Sequence, residues 1–229
     1  MNSKFHTIKL ATVALSLLLS VSTAQATLID GAVTGGTALS NGGIYQKLGV
    51  PLGNPFGPVN SVGANTFESP NLFGFDESQN TTTTGVLSYD YGVGGATGST
   101  TNAGSIAANT TVASHYVFFD PINASIQGWI EFDSKILGVI TSTATLAASD
   151  YLANTGVNYL NPTLRGLEGN DKIITVTNNK VFIDFVASSP GDYIRILTEF
   201  SPAAAPEPGM LLLLSISLLG LGLSRRRLS

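Results

Sequence analysis

The stretch Lys172-Ile173-Ile174-Thr175-Val176-Thr177-Asn178-Asn179-Lys180-Val181-Phe182-Ile183-Asp184-Phe185-Val186-Ala187 decides the fold class. β-Branched and aromatic residues fill two runs, Lys172 to Thr177 and Val181 to Ala187. Such side chains lose rotamer freedom in a helix and pack well on a pleated surface. Asn178-Asn179-Lys180 separates the runs, and asparagine tolerates the positive φ that a tight hairpin turn needs. The expectation is an antiparallel hairpin.

Working outward, the pattern repeats. Val112 to Phe119 ends at Asp120-Pro121. Ile126 to Phe132 sets Ile126, Gly128, Ile130 and Phe132 on one face against Gln127, Trp129, Glu131 and Asp133 on the other, the period-two signature of a half-buried strand. Ile136 to Leu146 continues in the same manner, and Tyr193 to Phe200 follows the turn Ser189-Pro190-Gly191-Asp192. Ala147 to Ala153 breaks the rhythm with a composition that favours a short helix, expected to cap one end of the sheets. Residues 30–105 hold 16 of the 25 glycines, with Pro51, Pro55, Pro58, Pro70 and the tract Asn80-Thr81-Thr82-Thr83-Thr84. That half should be loop-rich, with strands at Ile44 to Leu48 and Val86 to Tyr91. Short strands separated by turn signals predict an all-β domain, an antiparallel β-sandwich or jelly roll, rather than a βαβ fold.

Composition narrows the class. Of 229 residues only 11% are charged, 43% are hydrophobic and none is cysteine, which excludes a charged disordered chain and a disulfide-stapled miniprotein. Lys4, Lys9, Arg225, Arg226 and Arg227 lie near the ends, so residues 27–205 carry 6 basic against 14 acidic side chains. Phosphate backbones repel such a surface, so nucleic acid is not an expected partner.

The ends read as trafficking segments. Lys4 and Lys9 precede the apolar run Leu10 to Val21, and Ala24-Gln25-Ala26 is a small-x-small cleavage site, so residues 1–26 form an expected signal peptide removed after Ala26 by signal peptidase once the translocon is engaged. Residues 27–205 are the expected exported domain, divided into a Gly/Pro/Thr-rich part (27–105), a strand-rich part (106–200) and a linker (201–205). In residues 206–229, Pro206-Glu207-Pro208 is followed by the apolar run Met210 to Leu223 and then by Arg225-Arg226-Arg227. Prolines on both sides keep Glu207 out of a helix or ladder, leaving the tripeptide extended and accessible. The apolar run is expected to form a short membrane helix, with the arginines on the cytoplasmic side.

This tail resembles the PEP-CTERM sorting signal of Gram-negative bacteria, with all three parts in order from Ala205 to Ser229. The resemblance implies recognition of Pro206, Glu207, Pro208 and the Arg225–Arg227 cluster by an exosortase, a membrane-embedded cysteine transpeptidase or protease that removes the tail. It also implies an exported protein, transiently anchored in the inner membrane and then at the cell surface or outside the cell, in organisms that make exopolysaccharide and biofilm. Residues 116–200 look like the extracellular domains found ahead of such tails, without a catalytic motif to carry over.

The chemistry of the middle is sparse. A nucleophilic hydrolase needs a base, and His115 is the single histidine of residues 27–205, placed in a strand between Ser114 and Tyr116. It reads as a sheet-face histidine, and one histidine does not make a zinc site. Gly92-Val93-Gly94-Gly95-Ala96-Thr97-Gly98 misses the Gly-x-Gly-x-x-Gly spacing and reads as a flexible loop. Asp120, Glu131, Asp133, Asp150, Glu168, Asp171 and Asp184 are candidate carboxylates for paired acid/base chemistry or calcium, the one cofactor the sequence leaves open. Trp129 with Tyr89, Tyr91, Tyr151 and Tyr159 are candidates for sugar stacking. The expectation is a non-enzymatic, structural or exopolysaccharide-associated protein; a secreted carbohydrate-binding module or carbohydrate-active enzyme is the alternative.

Replacing Pro206 and Pro208 with alanine should leave export intact and block tail removal, because alanine lets the apolar helix extend back through Glu207. A tag after Ser229 is expected to stay with the membrane fraction in the variant and to be lost from the wild type.

Overall fold

The computed structural model describes residues 26–99 and 102–200. The signal region up to Gln25, with Ala24, and the whole tail, with Pro206, Glu207, Pro208 and Arg225 to Arg227, lie outside the described residues. In chain order the strands are β1 (Leu28–Gly35), β2 (Tyr45–Lys47), β3 (Ser61–Val62), β4 (Leu72–Asp76), β5 (Thr81–Thr82), β6 (Leu87–Tyr89), β7 (Gly104–Ile106), β8 (Thr111–Phe119), β9 (Asn123–Phe132), β10 (Ile136–Ile140), β11 (Asn158–Tyr159), β12 (Lys172–Val176), β13 (Lys180–Ser188) and β14 (Asp192–Glu199). Helices α1 (Gly36–Ser40) and α2 (Thr143–Ala148) and the 3-10 turns Asp150–Leu152 and Pro162–Leu164 join them.

Two main sheets face each other. One has the order β1-β9-β13-β12; the other runs β10-β14-β8-β4-β2, with β5 beside β8. The pairs are antiparallel except β2 with β4. The expected hairpin is β12–β13, with Val176 opposite Val181. The chain crosses between sheets from β8 to β9 and from β13 to β14, so the fold is the expected all-β sandwich.

Alternation along β9 and β13 builds the space between the sheets. Ile126, Ile130 and Phe132 from β9 and Val181, Ile183 and Phe185 from β13 are buried there, meeting Leu72, Val117, Phe119, Ile194 and Ile196 from the other sheet. Burying each such side chain is worth about 1.5–3 kcal/mol. The six-stranded sheet is buried on its second face as well. Phe73, Phe75, Tyr116, Phe118, Tyr193 and Leu197 lie under Leu48, Leu52, Val62 and Phe67 of the glycine-rich half and under Leu146 and Leu152. Double burial explains why β8 does not alternate between apolar and polar faces, with every residue from Val112 to Phe119 buried.

The region after β10 corrects two expectations. The strand expected over Ile136 to Leu146 stops at Ile140, and the helix expected from Ala147 begins at Thr143. Ser142 is the reason: its hydroxyl accepts from Thr145 N–H and caps the helix. The Asp90 carboxylate also accepts from the Thr141 and Ser142 amides at 2.7 and 2.9 Å. β1 and β4 go unannounced in the sequence because glycine interrupts both. Gly31 is required there, since a Cβ would fall 2.6 Å from Cγ of the Tyr45 ring.

The strand alternation makes a direct prediction. Phe185→Ala should cost about 3–5 kcal/mol, whereas its neighbour Val186→Ala, at a position 50% exposed, should change stability by less than about 0.5 kcal/mol. Urea unfolding midpoints of the two variants check it.

Candidate functional site

Burial of the second sheet face places the charge of Arg195, on β14, within the core. Its Nε and Nη2 donate to Glu77 Oε2 and Oε1 at 2.6 and 3.0 Å, and neither side chain is exposed. Glu77 also accepts from Ser114 Oγ and from the Tyr159 hydroxyl, both at 2.6 Å. Arg195 Nη1 reaches Ser149 Oγ at 2.5 Å and the Leu146 carbonyl at 3.1 Å, tying the sheet to α2. Burial alone would lower the Arg195 pKa, but the Glu77 charge outweighs it and the net shift is upward. Burial beside Glu77 likewise pushes the Tyr159 hydroxyl above its usual range.

Beside it, on the inter-sheet side, runs a second polar chain. His115 Nδ1 lies 2.8 Å from Asp76 Oδ1, and His115 Nε2 lies 3.0 Å from Thr198 Oγ1. Asp76 is also 2.8 Å from the Lys47 ammonium and accepts from Thr27 Oγ1 at 2.7 Å. Burial acts to raise the Asp76 pKa, but hydrogen bonds from His115, Lys47 and Thr27 overcome it and hold the carboxyl well below its ordinary range. The connectivity is that of an acid, a base and a hydroxyl nucleophile. His115 and Thr198 have no exposed surface, however, and His115 packs on the Phe132 ring at 4.9 Å, so no carbonyl carbon can reach the hydroxyl. His115 stands on β8, against Phe132 of the facing sheet. A cleft of about 410 Å³ opens on Lys47, Asp76, Glu77, Gln79 and Asn154, and neither His115 nor Thr198 lines it.

The third polar group is acidic. Asp171 accepts from the Glu168 and Val186 amides at 2.7 and 2.8 Å and lies within hydrogen-bonding reach of Asp192. Asp192 is buried, and its Oδ2 has no hydrogen-bond partner. Burial, then the charges of Asp171 and Glu168, push its carboxyl up to about 8. Burial beside two acidic neighbours thus favours the protonated form of Asp192. Asp120, at the same end, is pushed up to about 6 by burial, partly offset by the Phe67 amide.

The remaining candidates are dispersed. Glu131 pairs with Lys180 at 3.0 Å, Asp150 with Arg165 at 2.5 Å, and Asp184 lies 3.5 Å from Gln127. Asp133 accepts from the Thr27 amide. Among the described residues, no three histidine, cysteine or acidic side chains gather to hold a metal ion. The five aromatic candidates do not form one surface. Trp129 lies on β9 next to Lys180, whose Nζ is 4.3 Å from the ring centre, while Tyr159 is packed 5.2 Å from Tyr116 in the second core. Tyr89 and Tyr91 lie beside β10, with Tyr89 against Gly138, and Tyr151 is in the 3-10 turn. The loop Gly92 to Gly98 lies along the edge of β12, where the Gly94 and Thr97 amides donate to the Val176 and Ile173 carbonyls at 2.7 and 2.8 Å. It therefore closes a sheet edge. Asp76, Glu77, Asp192 and Arg195 were not singled out from the sequence. For Arg195 the signal was present, a lone cation inside the apolar run Tyr193 to Leu197.

The described domain is thus an all-β sandwich whose charged groups are largely answered from within. A PEP-CTERM protein-sorting motif matches residues 204–227. The chain therefore carries a PEP-CTERM sorting motif, which supports export and handling by an exosortase. No curated protein and no solved structure matches it. Among the described residues no helix is long and apolar enough to cross a membrane, and the apolar run Met210 to Leu223 lies outside them.

Arg195→Met should destabilise by about 3–5 kcal/mol, because it leaves the Glu77 carboxylate buried and unpaired, and Glu77→Gln added to it should recover part of the loss. Denaturant titrations of the single and double variants check this. For Asp192, a folded pKa near 8 lies above the unfolded value of about 3.9, so the native state binds the extra proton between them and stability falls as pH rises from about 4 to about 8. Asp192→Asn should flatten that slope and raise stability at pH 8 by about 2 kcal/mol or more, read from unfolding midpoints across the pH range.

Proposed function

We propose that this is a non-enzymatic structural protein of the cell surface or exopolysaccharide matrix, delivered by its sorting tail. The tail supports delivery, and the sealed state of the Asp76–His115–Thr198 chain supports a domain that does no hydrolysis. A nucleophile has to come within about 3.5 Å of its target, and burial denies that approach. Removal of the tail would release the domain or transfer it to a surface acceptor.

A second reading, as a carbohydrate-binding module, draws on the solvent face of β9 and β13. Trp129 stands opposite Phe182 there, both half-buried, with Gln127, Glu131, Lys180 and Asp184 around them. Aromatic faces flanked by hydrogen-bonding side chains suit the apolar and polar faces of a sugar chain.

Incubating the mature domain with exopolysaccharide from its own host separates the two readings from an enzyme. No release of reducing ends is expected; release that disappears on substituting a carboxylate overturns the non-enzymatic reading. Cosedimentation with the same polysaccharide tests the second reading: Trp129→Ala should lower retention at least about fivefold if stacking of about 1 kcal/mol or more holds the sugar.

A further inference from the structure

Thr27, the residue behind the expected cleavage bond, enters the domain between two carboxylates. Its backbone N–H donates to Asp133 Oδ1 at 2.9 Å, and the Asp133 N–H returns a bond to the Thr27 carbonyl at 3.1 Å. Its hydroxyl donates to Asp76 Oδ2 at 2.7 Å, and the next amide, that of Leu28, donates to Asp76 Oδ1 at 3.1 Å. Lys47 Nζ binds Asp76 and the Leu28 carbonyl, both at 2.8 Å, and also Thr27 Oγ1. The charged and titratable groups that face this point are Lys47 from β2, Asp76 from β4, His115 from β8 and Asp133 after β9.

The charge balance is uneven. Asp76 and Asp133 bring two carboxylates to Thr27; Lys47 and His115 both lie against Asp76, while among the described residues no cationic side chain pairs with Asp133. An uncut chain adds an uncharged amide, whereas a chain cut after Ala26 adds an α-ammonium at the atom that already donates to Asp133. We propose that Asp133, with Asp76 behind it, is a binding site for the α-ammonium of Thr27, so that removal of the signal peptide fastens β1 to the sandwich. The proposal rests on reading Ala24-Gln25-Ala26 as the cleavage site.

The N–H to Oδ1 bond then becomes charge-assisted without moving either partner. It matters at this place because β1 is the end strand of its sheet, held by β9 along one side. End strands fray first, and a frayed β1 exposes the β9 edge to pairing with another chain. Ala26 is itself buried in the described structure, so docking of β1 shields the Ala26–Thr27 bond from a peptidase.

The test uses mature protein purified from the host after expression of full-length wild type, Asp133→Asn and, as a remote carboxylate control, Asp184→Asn. Mass spectrometry first gives the amino-terminal residue. The α-amine pKa is then measured by pH-dependent reductive methylation, and β1 exchange by amide hydrogen exchange. In wild type and Asp184→Asn the amine should titrate at least about half a unit above the ordinary value near 8, and in Asp133→Asn it should return to that value. β1 amides should exchange at least about threefold faster in Asp133→Asn, with core amides of β8 unchanged. An amine of ordinary pKa in wild type, or equal β1 exchange in wild type and Asp133→Asn, overturns the capture even when the chain starts at Thr27. A mature chain that starts elsewhere overturns the cleavage reading, and the proposal falls with it for that separate reason.

Discussion

Arg195 stands in a strand covered on both faces, and the structure around it is arranged to answer its charge. Glu77 supplies two oxygens from the end of β4, Ser114 supports that carboxylate from β8, and Tyr159 does so from β11. On the other side Ser149 and Leu146 bring α2 and its following turn onto the guanidinium. A buried pair of this kind gains little net stability against an apolar substitute, because both ions lose their hydration. What it contributes is selectivity. Any arrangement that shifts β14 against β4, or lifts α2 from the sheet, leaves a charge unpaired in the core and is disfavoured by several kcal/mol.

That constraint explains the unequal halves of the chain. The strand-rich half supplies most of the sandwich, with β1, β2, β4 and β5 added from the other half, and one sheet of it still presents an aromatic and ionic face. The glycine- and proline-rich half lies over that face, placing Leu48, Leu52, Val62 and Phe67 against Phe73, Tyr116 and Phe118. Phe67 packs 4.7 Å from Phe73 and 4.9 Å from Phe118. Loops of this composition are suited to cover an irregular surface, since few of their residues are bound to strand geometry. Polar groups at the margins are used in the same way: Asp90 holds the start of α2, and Asp171 holds the Glu168 and Val186 amides.

The consequence for function is a division of labour along the chain. The sorting motif at residues 204–227 carries the routing information. The β-sandwich buries a few charged side chains, Glu77, Asp192 and Arg195 among them, and sets Trp129 and Phe182 half-buried on the outer face of β9 and β13. A domain built in this way suits persistence outside a membrane, where a structure without cysteine has to hold together through packing and buried polar contacts alone.

Much of this was legible in the residues themselves. The tail reads directly, because its recognition depends on the order of a rigid tripeptide, an apolar run and a cationic end, all of them local. The β12–β13 hairpin and the two faces of β9 are legible for a similar reason: period-two alternation and an Asn-Asn turn act over a few neighbours. Other features depended on partners far along the chain. Ser142 ends one element and caps the next through a contact three residues away, yet the Asp90 carboxylate that supports it is 52 residues distant. Glu77 and Arg195 are separated by 118 residues, so neither sequence neighbourhood names the other. Sequence by itself determined the β12–β13 hairpin, the alternation of β9 and the sorting motif, since these follow from short-range pattern. Only the tertiary structure decided that one sheet would be buried twice, that His115 would be sealed and that the two acids would meet at Thr27, because burial and charge pairing are set by which distant strands become neighbours.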